Sequence, residues 1–353
     1  MSNSSRLGAH PALRGGLLAL GAAGLFGAST PLVQLAGRAV GPFTTAALLY
    51  GGAAVLGALL RQPVSREAAV RRSDLPRLGW MALFGAVIGP VALAWGLQHT
   101  NGTSASLMLA LEALFTAVLA RVLYNEMMDR RVWGAVLLLL AGGLALVLDR
   151  GGAGPAQLWG LIAVLAATAA WGVDNTLSRA LAERDPAQVV LGKSILGAAA
   201  TLVLAFIAGE HWPSWIAIVV LLVIGATGYG LSLRLYLLAQ RSFGAARTGS
   251  VFAFAPFVGA IAAIALGDRS LSFGMLIGGG LMLLGVVLHL AESHGHEHSH
   301  EQTAHEHAHR HDDGHHDHLH DPMPTGWHSH GHIHDARVHA HAHVPDAHHR
   351  HDH

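Results

Sequence analysis

The chain has 353 residues and no cysteine, so it can form neither disulfide bonds nor thiolate metal sites. Charged residues are also scarce: Asp, Glu, Lys and Arg make up 12% of the chain, whereas about 25% is usual in soluble domains. Hydrophobic residues account for 52%. This composition argues against a soluble globular domain and indicates a membrane protein.

The formal net charge of zero conceals a division of the chain near residue 291. Residues 1–290 contain 19 Lys+Arg and 11 Asp+Glu, a net charge of +8, whereas residues 291–353 contain 3 Arg and 11 Asp+Glu, a net charge of −8. These last 63 residues, which we call the tail, also hold 23 of the 27 histidines. The sequence therefore joins a basic, apolar body to an acidic, imidazole-rich tail.

Ten apolar segments follow one another through the body, each about the 20 residues that a helix needs to cross roughly 30 Å of hydrocarbon. They lie near residues 15–36, 42–60, 75–97, 103–124, 132–149, 157–179, 187–209, 214–238, 246–267 and 271–290. Because their apolar character is continuous rather than alternating, a transmembrane β-barrel is excluded. The first segment is too long for the core of a signal peptide and is predicted to be an uncleaved span.

Two sequence patterns occur twice, so the body is predicted to be a duplication. The pattern at 97–102 recurs at 239–244, an offset of 142, and the pattern at 25–30 recurs at 170–175, an offset of 145. With five spans in each copy, the second copy must enter the membrane in the opposite orientation, an arrangement typical of secondary transporters. We therefore predict an all-α integral membrane protein with ten transmembrane helices in two inverted five-helix repeats.

The predicted organisation is a cytoplasmic N-terminus (1–14), a first repeat (15–149), a second repeat (157–290) and a disordered His-rich tail (291–353). The loops on one face of the membrane carry 13 arginines and those on the other face carry three. By the positive-inside rule, both termini are expected to lie in the cytoplasm.

At this point the chain resembles the EamA family of the drug/metabolite transporter superfamily, with two EamA repeats. The residues that carry the resemblance are Phe26-Gly27, Trp171-Gly172, residues 111–117 leading to Glu126, and residues 255–260 leading to Asp268. The resemblance implies a ten-helix inner-membrane permease, commonly an exporter of metabolites, amino acids or toxic small molecules. It does not indicate the substrate.

The chain departs from the family pattern in two places. The usual proline of the fourth span is replaced by Ala113, although its counterpart Pro256 is present in the ninth span. A basic residue often ends the apolar stretch that opens the second span of a repeat, and that place holds Tyr50 in the first repeat and Lys193 in the second.

Ionisable side chains inside membrane spans are costly, so each needs a partner or an aqueous cavity. The clear cases are Glu112, Asp174 and Lys193. Asp174 lies near the end of span six and Lys193 near the start of span seven, each roughly 7–9 Å from the inner boundary at 1.5 Å per residue. The short connection between these spans allows an ion pair, which is either a structural salt bridge or part of a gate or substrate site.

Aligning the repeats places Asp174 opposite Ser29 and Lys193 opposite Tyr50. One repeat thus carries a charged pair where the other carries a neutral polar pair, an asymmetry suited to a polar, asymmetric ligand. The hypothesis is that Asp174, Asn175 and Lys193 form one wall of the transport path, with Ser29 and Tyr50 on the opposite wall.

Glu112 lies about nine residues into span four, close to the predicted midplane, with no basic residue expected at that depth. An unpaired carboxyl there could take up and release a proton, which makes Glu112 the candidate for proton coupling. The alternative is a protonated carboxyl that only makes a hydrogen bond within the bundle. Glu126 and Asp268, at the ends of spans four and nine, are expected to be solvated.

Histidine alternates with other residues throughout the tail, and alternate residues of an extended chain project to the same side, where their imidazoles can converge on one ion. The candidate metal ligands are His294, His296, His298, His300, His305, His307, His309, His311, His339, His341 and His343. Neutral imidazole suits Zn, Ni, Cu and Co, and the lack of Cys and the few Met argue against Cu(I). With almost no apolar side chains to bury, the tail is expected to be disordered without metal.

Two tail segments match the zinc-protease pattern H-E-x-x-H, but chance matches are expected where every second residue is His, so we predict no enzyme and no required cofactor.

The first hypothesis is a permease for a small polar or toxic molecule with a metal-binding tail. The second is a Zn, Ni or Co efflux protein, against which the only histidines near the spans, His99, His211 and His289, all lie at span ends. The third is a membrane-tethered metal store or sensor.

The expected partners are the lipid bilayer, a small-molecule substrate and transition-metal ions, and no nucleic acid. A homodimer is one assembly open to such a protein.

Overall fold

The structure is a computed structural model. It describes residues 11–63, 67–124, 130–149, 155–181, 184–243 and 245–290 of the body and residues 294–300, 303–309, 328–334 and 337–343 of the tail. Glu126 and His311, singled out in the sequence, lie outside these ranges, as do residues 1–10.

Most of the described body is helical. Its helices are α1 (Pro11–Gly37), α2 (Pro42–Leu59), α3 (Leu75–Ala82), α4 (Gly89–His99), α5 (Gly102–Met108), α6 (Leu111–Tyr124), α7 (Arg130–Leu148), α8 (Pro155–Ser178), α9 (Pro186–Ile207), α10 (Trp215–Ile224), α11 (Ser232–Phe243), α12 (Ala245–Phe252), α13 (Ala255–Ala265) and α14 (Phe273–Leu290). Within the described residues, nine helical stretches are long and apolar enough to cross a membrane, and a shorter apolar stretch over Phe273–Leu288 supplies the tenth. The predicted ten spans are therefore confirmed.

Within the described residues, four of the ten spans are interrupted, and the interruptions fall at equivalent places in the two repeats. Span three, formed by α3 and α4, changes to a π-helix over Leu83–Ile88, and span eight, formed by α10 and α11, does so over Gly225–Leu231. Spans four and nine break at the two-residue turns 109–110 and 253–254. Such departures from regular α-helix are frequent at functional sites and in transporter binding sites.

The helices of the two repeats pack in matched pairs. Helix α1 of the first repeat packs on α11 and α13 of the second repeat. Its counterpart α8, in the second repeat, packs on α4 and α6 of the first. Equivalent helices also contact each other, α2 with α9 and α7 with α14. A Cβ at Gly27 would meet Val258 on α13, and a Cβ at Gly172 would meet Phe115 on α6, so both pairs of helices need a glycine. This pairing is what two inverted repeats produce.

Four described segments of the tail form strands. β1 (His294–His300) pairs antiparallel with β4 (Arg337–His343), and β2 (Thr303–His309) pairs antiparallel with β3 (His328–His334). These segments differ from the disorder that the sequence predicted from the lack of apolar side chains. The physical reason is the His-x-His alternation itself, because its period of two residues is also that of a strand.

Candidate functional site

A buried polar cluster surrounds the carbonyl of Gly85, which lies in the π segment of span three. This carbonyl accepts one hydrogen bond from the Tyr50 hydroxyl on α2 and another from Trp171 Nε1 on α8, the latter at 3.0 Å. Tyr50 and Trp171 are only 4% and 5% exposed. The π segment therefore joins two other helices through its backbone.

An ion pair between Lys193 and Asp174 lies directly against Gly85. The ammonium group of Lys193 donates a hydrogen bond to Oδ2 of Asp174, and the two residues are 2% and 4% exposed. A Cβ at position 85 would collide with both side chains. The structure thus brings together the two residues that the sequence placed within reach of each other, and it adds Gly85 as the surface against which they pack.

Two further features set this pair apart. Lys193 is the only lysine of the chain, since the other 21 of the 22 basic residues are arginines. The second carboxylate oxygen of Asp174, Oδ1, is buried and has no hydrogen-bond partner within the described residues. An unpartnered buried carboxylate oxygen is costly. The pair therefore leaves one anionic acceptor available to a polar or cationic group.

A second polar contact lies beside the ion pair. Asn175, which follows Asp174 on α8, donates a hydrogen bond from Nδ2 to Oε1 of Glu112 at 2.5 Å. Glu112 lies in the first turn of α6, directly after the break at 109–110, where the helix dipole favours a carboxylate. Glu112 and Asn175 are both half-buried. Glu112 thus has a polar partner, where the sequence indicated an unpaired carboxyl, because the packing of α6 on α8 is a tertiary contact.

Tyr50 and Ser29 are arranged differently from the opposite wall that the sequence suggested. Tyr50 lies beside the ion pair, since both contact Gly85. The Ser29 hydroxyl donates to the carbonyl of Phe26 within α1 at 2.6 Å, and Ser29 packs closely on Gly228 in the second π segment.

The helix starts also change the alignment of the repeats. Pro42 and Pro186 begin α2 and α9 and are 144 positions apart. Counted from these prolines, Tyr50 corresponds to Ser194, and Lys193 occupies the position before it. The second repeat still carries a charged pair that the first repeat lacks at the equivalent positions. Lys193, however, does not occupy the position that is equivalent to Tyr50.

Six aromatic side chains, which we call the aromatic cluster, line the region between the repeats next to this site. Their ring contacts, with centroid separations, are Phe26–Trp171 at 5.5 Å, Phe26–Tyr229 at 5.8 Å, Tyr50–Tyr229 at 5.6 Å, Phe26–Phe252 at 5.5 Å and Tyr236–Phe252 at 5.1 Å. The sequence reasoning did not identify this cluster. Its available signal was the presence of aromatic residues well inside spans, away from the membrane interface where such rings usually lie.

Polar contacts also close the end of the bundle at which α1 finishes, which we call the far end. Gln34 Nε2 donates to the carbonyls of Leu97 and Thr100, at 3.1 and 2.8 Å, which joins α1 to the end of α4. The carboxylate of Glu210, in the second repeat, accepts from the backbone N–H groups of Phe43 and Thr44, at 3.0 and 2.7 Å. It thereby caps α2 of the first repeat.

Asp268 caps a first-repeat helix at the same end. Its Oδ2 accepts from the backbone N–H and the hydroxyl of Thr103, at 2.9 and 2.8 Å, and its Oδ1 accepts from Ser270. Partial burial opposes ionisation, but the hydrogen bonds from Ser270 and Thr103 outweigh it and lower the pKa of Asp268 below its ordinary value. Asp268 is therefore bound to the start of α5 rather than simply solvated.

The opposite, near end is closed by contacts of the same type. Asp74, just before α3, accepts from Nε of Arg184 at 2.9 Å. The N–H of Val70 donates to Gln188 Oε1 on α9 at 3.1 Å, and the N–H of Asp185 donates to the carbonyl of Ala68 at 2.7 Å. At each end, the loop before the third span of one repeat thus binds the start of the second span of the other.

Metal-binding groups do not assemble in the helical part that the structure describes. No group of three His, Asp or Glu side chains there could hold a metal ion. Glu112 and Asp174, the carboxylates closest to the site, bind Asn175 and Lys193, respectively.

Comparison with known proteins agrees with this architecture. A protein of Methanothermobacter thermautotrophicus named an uncharacterized transporter is 29% identical over 244 residues, which cover 66% of this chain and 69% of that protein. A protein of known crystal structure has a TM-score of 0.56 and 20% identity, over 78% of this chain and 94% of the other, which shows a shared fold. Residues 13–148 and 158–291 each match the EamA-like transporter family. Because this match covers both repeats, the chain is a multi-pass membrane protein that belongs to the EamA-like transporter family.

Proposed function

We propose that the protein is a secondary transporter that exports a small polar metabolite or toxic small molecule across the plasma membrane. The observation that carries this proposal is the contact of the two repeats at a buried polar site. Gly85 and Glu112 of the first repeat contact Lys193, Asp174 and Asn175 of the second. Inverted-repeat transporters bind their substrates between the repeats near the midplane, where broken helices meet.

The chemistry of the site favours a polar substrate. Asp174 offers an unpartnered carboxylate oxygen and Lys193 an ammonium group, so a molecule with both donor and acceptor groups can be bound at both ends. The aromatic cluster next to them offers an apolar surface to the rest of the molecule. Opening and closing at the two ends then requires the contacts of Glu210 and of Asp74 to break alternately.

Glu112 is the proposed coupling residue. It is half-buried, it lies at the start of a helix inside the membrane, and its single described partner is a neutral amide. Because the partner of Glu112 is neutral, Glu112 can be protonated without leaving an unpaired charge in the protein interior. Protonating Asp174 would instead leave the buried ammonium group of Lys193 without a counter-charge. We therefore assign proton exchange to Glu112 and substrate binding to Asp174 and Lys193.

The tail is proposed to bind Zn, Ni or Co ions through its histidines and to regulate transport from the cytoplasm. The excess of arginines in the loops of the near end supports a cytoplasmic position for both termini. A metal cargo would require ligands along the path, and the described helical residues contain no group of three. We therefore propose the metal as a regulator.

The test compares the full-length protein with a variant lacking residues 291–353, both reconstituted in liposomes with and without a proton gradient. Flux of zinc, nickel and cobalt and flux of a panel of polar metabolites are measured, and a variant truncated after residue 343 is the control for shortening the chain. We expect gradient-driven flux of an organic molecule in both proteins, with a metal response only when the tail is present. Gradient-driven metal flux in the tail-deleted protein would instead make the metal the cargo.

A further inference from the structure

The two strand pairs of the tail share one register. His294 pairs with His343, and Thr303, nine residues further along, pairs with His334, nine residues back. The β2–β3 pair therefore has the register that would result if the β1–β4 pairing continued along both strands, as in a single long hairpin.

Within this register, histidine stands opposite histidine. The opposed pairs are His294–His343, His296–His341, His298–His339, His305–His332, His307–His330 and His309–His328. Directly opposed residues of an antiparallel pair share a face of the sheet, as do alternate residues of one strand. Each two-stranded sheet thus carries seven histidines at register positions of one face, and we call these two sets the His faces.

The alternation of histidines is interrupted once in each arm of the hairpin, and histidine still stands opposite histidine on both sides of the interruption. His300 is followed by His305, and His334 is followed by His339, so the alternation slips by one position in each arm. The two slips fall at corresponding places, because positions 301–302 and 335–336 separate the same two ladders. A chain selected only for histidine content would not need matching slips, so the pattern points to pairing of the arms.

The opposite faces of the sheets carry mostly small residues, with one Glu and one β-branched aliphatic residue in each sheet. They are Gly295, Glu297, Ser299, Val338, Ala340 and Ala342 in one sheet and Ala304, Glu306, Ala308, Ser329, Gly331 and Ile333 in the other. These side chains can bury little apolar surface, and a two-stranded sheet is marginal in water without a further source of stability. The sheet therefore needs a stabilising contribution from its histidines.

We propose that each His face is a platform for divalent transition-metal ions and that metal binding folds the tail into this hairpin. The proposal rests on the metal binding proposed above and adds its geometry. Opposed Cβ atoms are about 5 Å apart and imidazole binds Zn²⁺ at about 2.0–2.1 Å, so two opposed pairs can supply the four ligands of a tetrahedral site. The seven histidines of a sheet supply enough ligands for one four-histidine site and one three-histidine site, and the binding free energy becomes folding free energy.

The test moves one histidine between faces without changing the composition. The experiment uses the full-length protein in lipid nanodiscs. His339→Ala is combined with Ala340→His, which moves an imidazole by one residue along β4 and so to the opposite face of the sheet. The matched control combines Ala347→His with His348→Ala, outside the paired segments. We expect the first exchange to weaken zinc binding, measured by calorimetry, by about tenfold or more and the control to leave it unchanged.

A second measurement reports the fold of the tail directly. Because the chain has no cysteine, spin labels can be placed uniquely at Glu297→Cys and Ala340→Cys, which are opposed in the register and lie off the His face. Zinc should produce dipolar broadening between these labels, and a chelator should abolish it. If the exchange of residues 339 and 340 leaves zinc affinity unchanged and zinc causes no dipolar broadening, the hairpin is overturned and the tail remains a metal-binding segment. Absence of zinc binding by the full-length protein would overturn both proposals.

Discussion

The rings of Phe26 and Trp171 meet edge to face with their centroids 5.5 Å apart, and these residues occupy equivalent positions in the first helices of the two repeats. A residue and its repeat counterpart can touch only near the axis that relates the repeats. The contact therefore marks that axis. Asp174 and Asn175 follow Trp171 by three and four positions on α8, which places them about one helical turn away. The candidate site is thus built next to the axis of the inverted repeat.

Replacing Gly85 by alanine should destabilise the protein by about 1–3 kcal/mol, since the added methyl group would collide with Asp174 and Lys193 in a packed site. The matched control is Gly79→Ala in α3, where an added Cβ meets nothing within 4 Å. That variant should be neutral or more stable by up to about 1 kcal/mol, because alanine is the better helix former. Thermal unfolding in detergent measures both. Equal melting temperatures would contradict the packing described for Gly85.

The ion pair can be tested by neutralising its members singly and together. Asp174→Asn or Lys193→Met alone leaves a buried charge without a partner and should cost about 3–5 kcal/mol, whereas the double variant should recover most of that loss. We expect the double variant to fold and yet to transport poorly, since it lacks both charged groups that the substrate would contact. A double variant with full stability and full transport would reduce the pair to a structural salt bridge.

The sequence predicted the fold well because membrane spans are specified locally. Apolar runs of about 20 residues and the repeated patterns at 25–30 and 170–175 were enough for ten spans in two inverted repeats. The same local reasoning singled out Asp174 and Lys193, which lie on neighbouring spans joined by a short connection. Their contact needed no knowledge of how distant helices pack.

The rest of the site depends on distant contacts. The partner of Glu112 is Asn175, 63 residues away, and the partners of the Gly85 carbonyl lie 35 and 86 residues away on two different helices. The π segment that presents this carbonyl has no sequence signature of its own among apolar residues. These features could not be predicted because each depends on the register with which separate helices pack.

Replacing Glu112 by glutamine should separate proton coupling from binding. Glutamine keeps an oxygen that can accept the hydrogen bond from Asn175, but it cannot exchange a proton. Gradient-driven transport should fall by about tenfold or more, whereas substrate exchange between the two sides without a gradient should persist. The same replacement at Glu210, which caps α2 and belongs to the proposed gate, is the comparison: it should change gradient-driven transport and exchange together rather than separate them. Loss of exchange as well as gradient-driven flux would show that Glu112 serves binding rather than coupling.

Asp268 provides a prediction about pH, because its pKa is lowered by the hydrogen bonds from Ser270 and Thr103. A carboxyl whose pKa is lower in the folded state stabilises that state above its ordinary pKa of about 3.9, and the contribution is lost as the pH falls through the lowered folded value. Asp268→Ala should therefore lower the melting temperature at pH 7, by the loss of a helix cap that is typically about 1 kcal/mol. The difference from the unmodified protein should shrink as the pH falls below about 4.

The matched control for Asp268 is Asn101→Ala. Asn101 caps the same helix, α5, by accepting a hydrogen bond from the N–H of Ser104 at 2.7 Å, but its side chain does not ionise. Both variants should lower the melting temperature at pH 7, and only the effect of Asp268→Ala should depend on pH. An Asp268→Ala effect that stays constant from pH 7 to pH 3 would mean that this carboxyl acts through hydrogen bonds that do not require its charge.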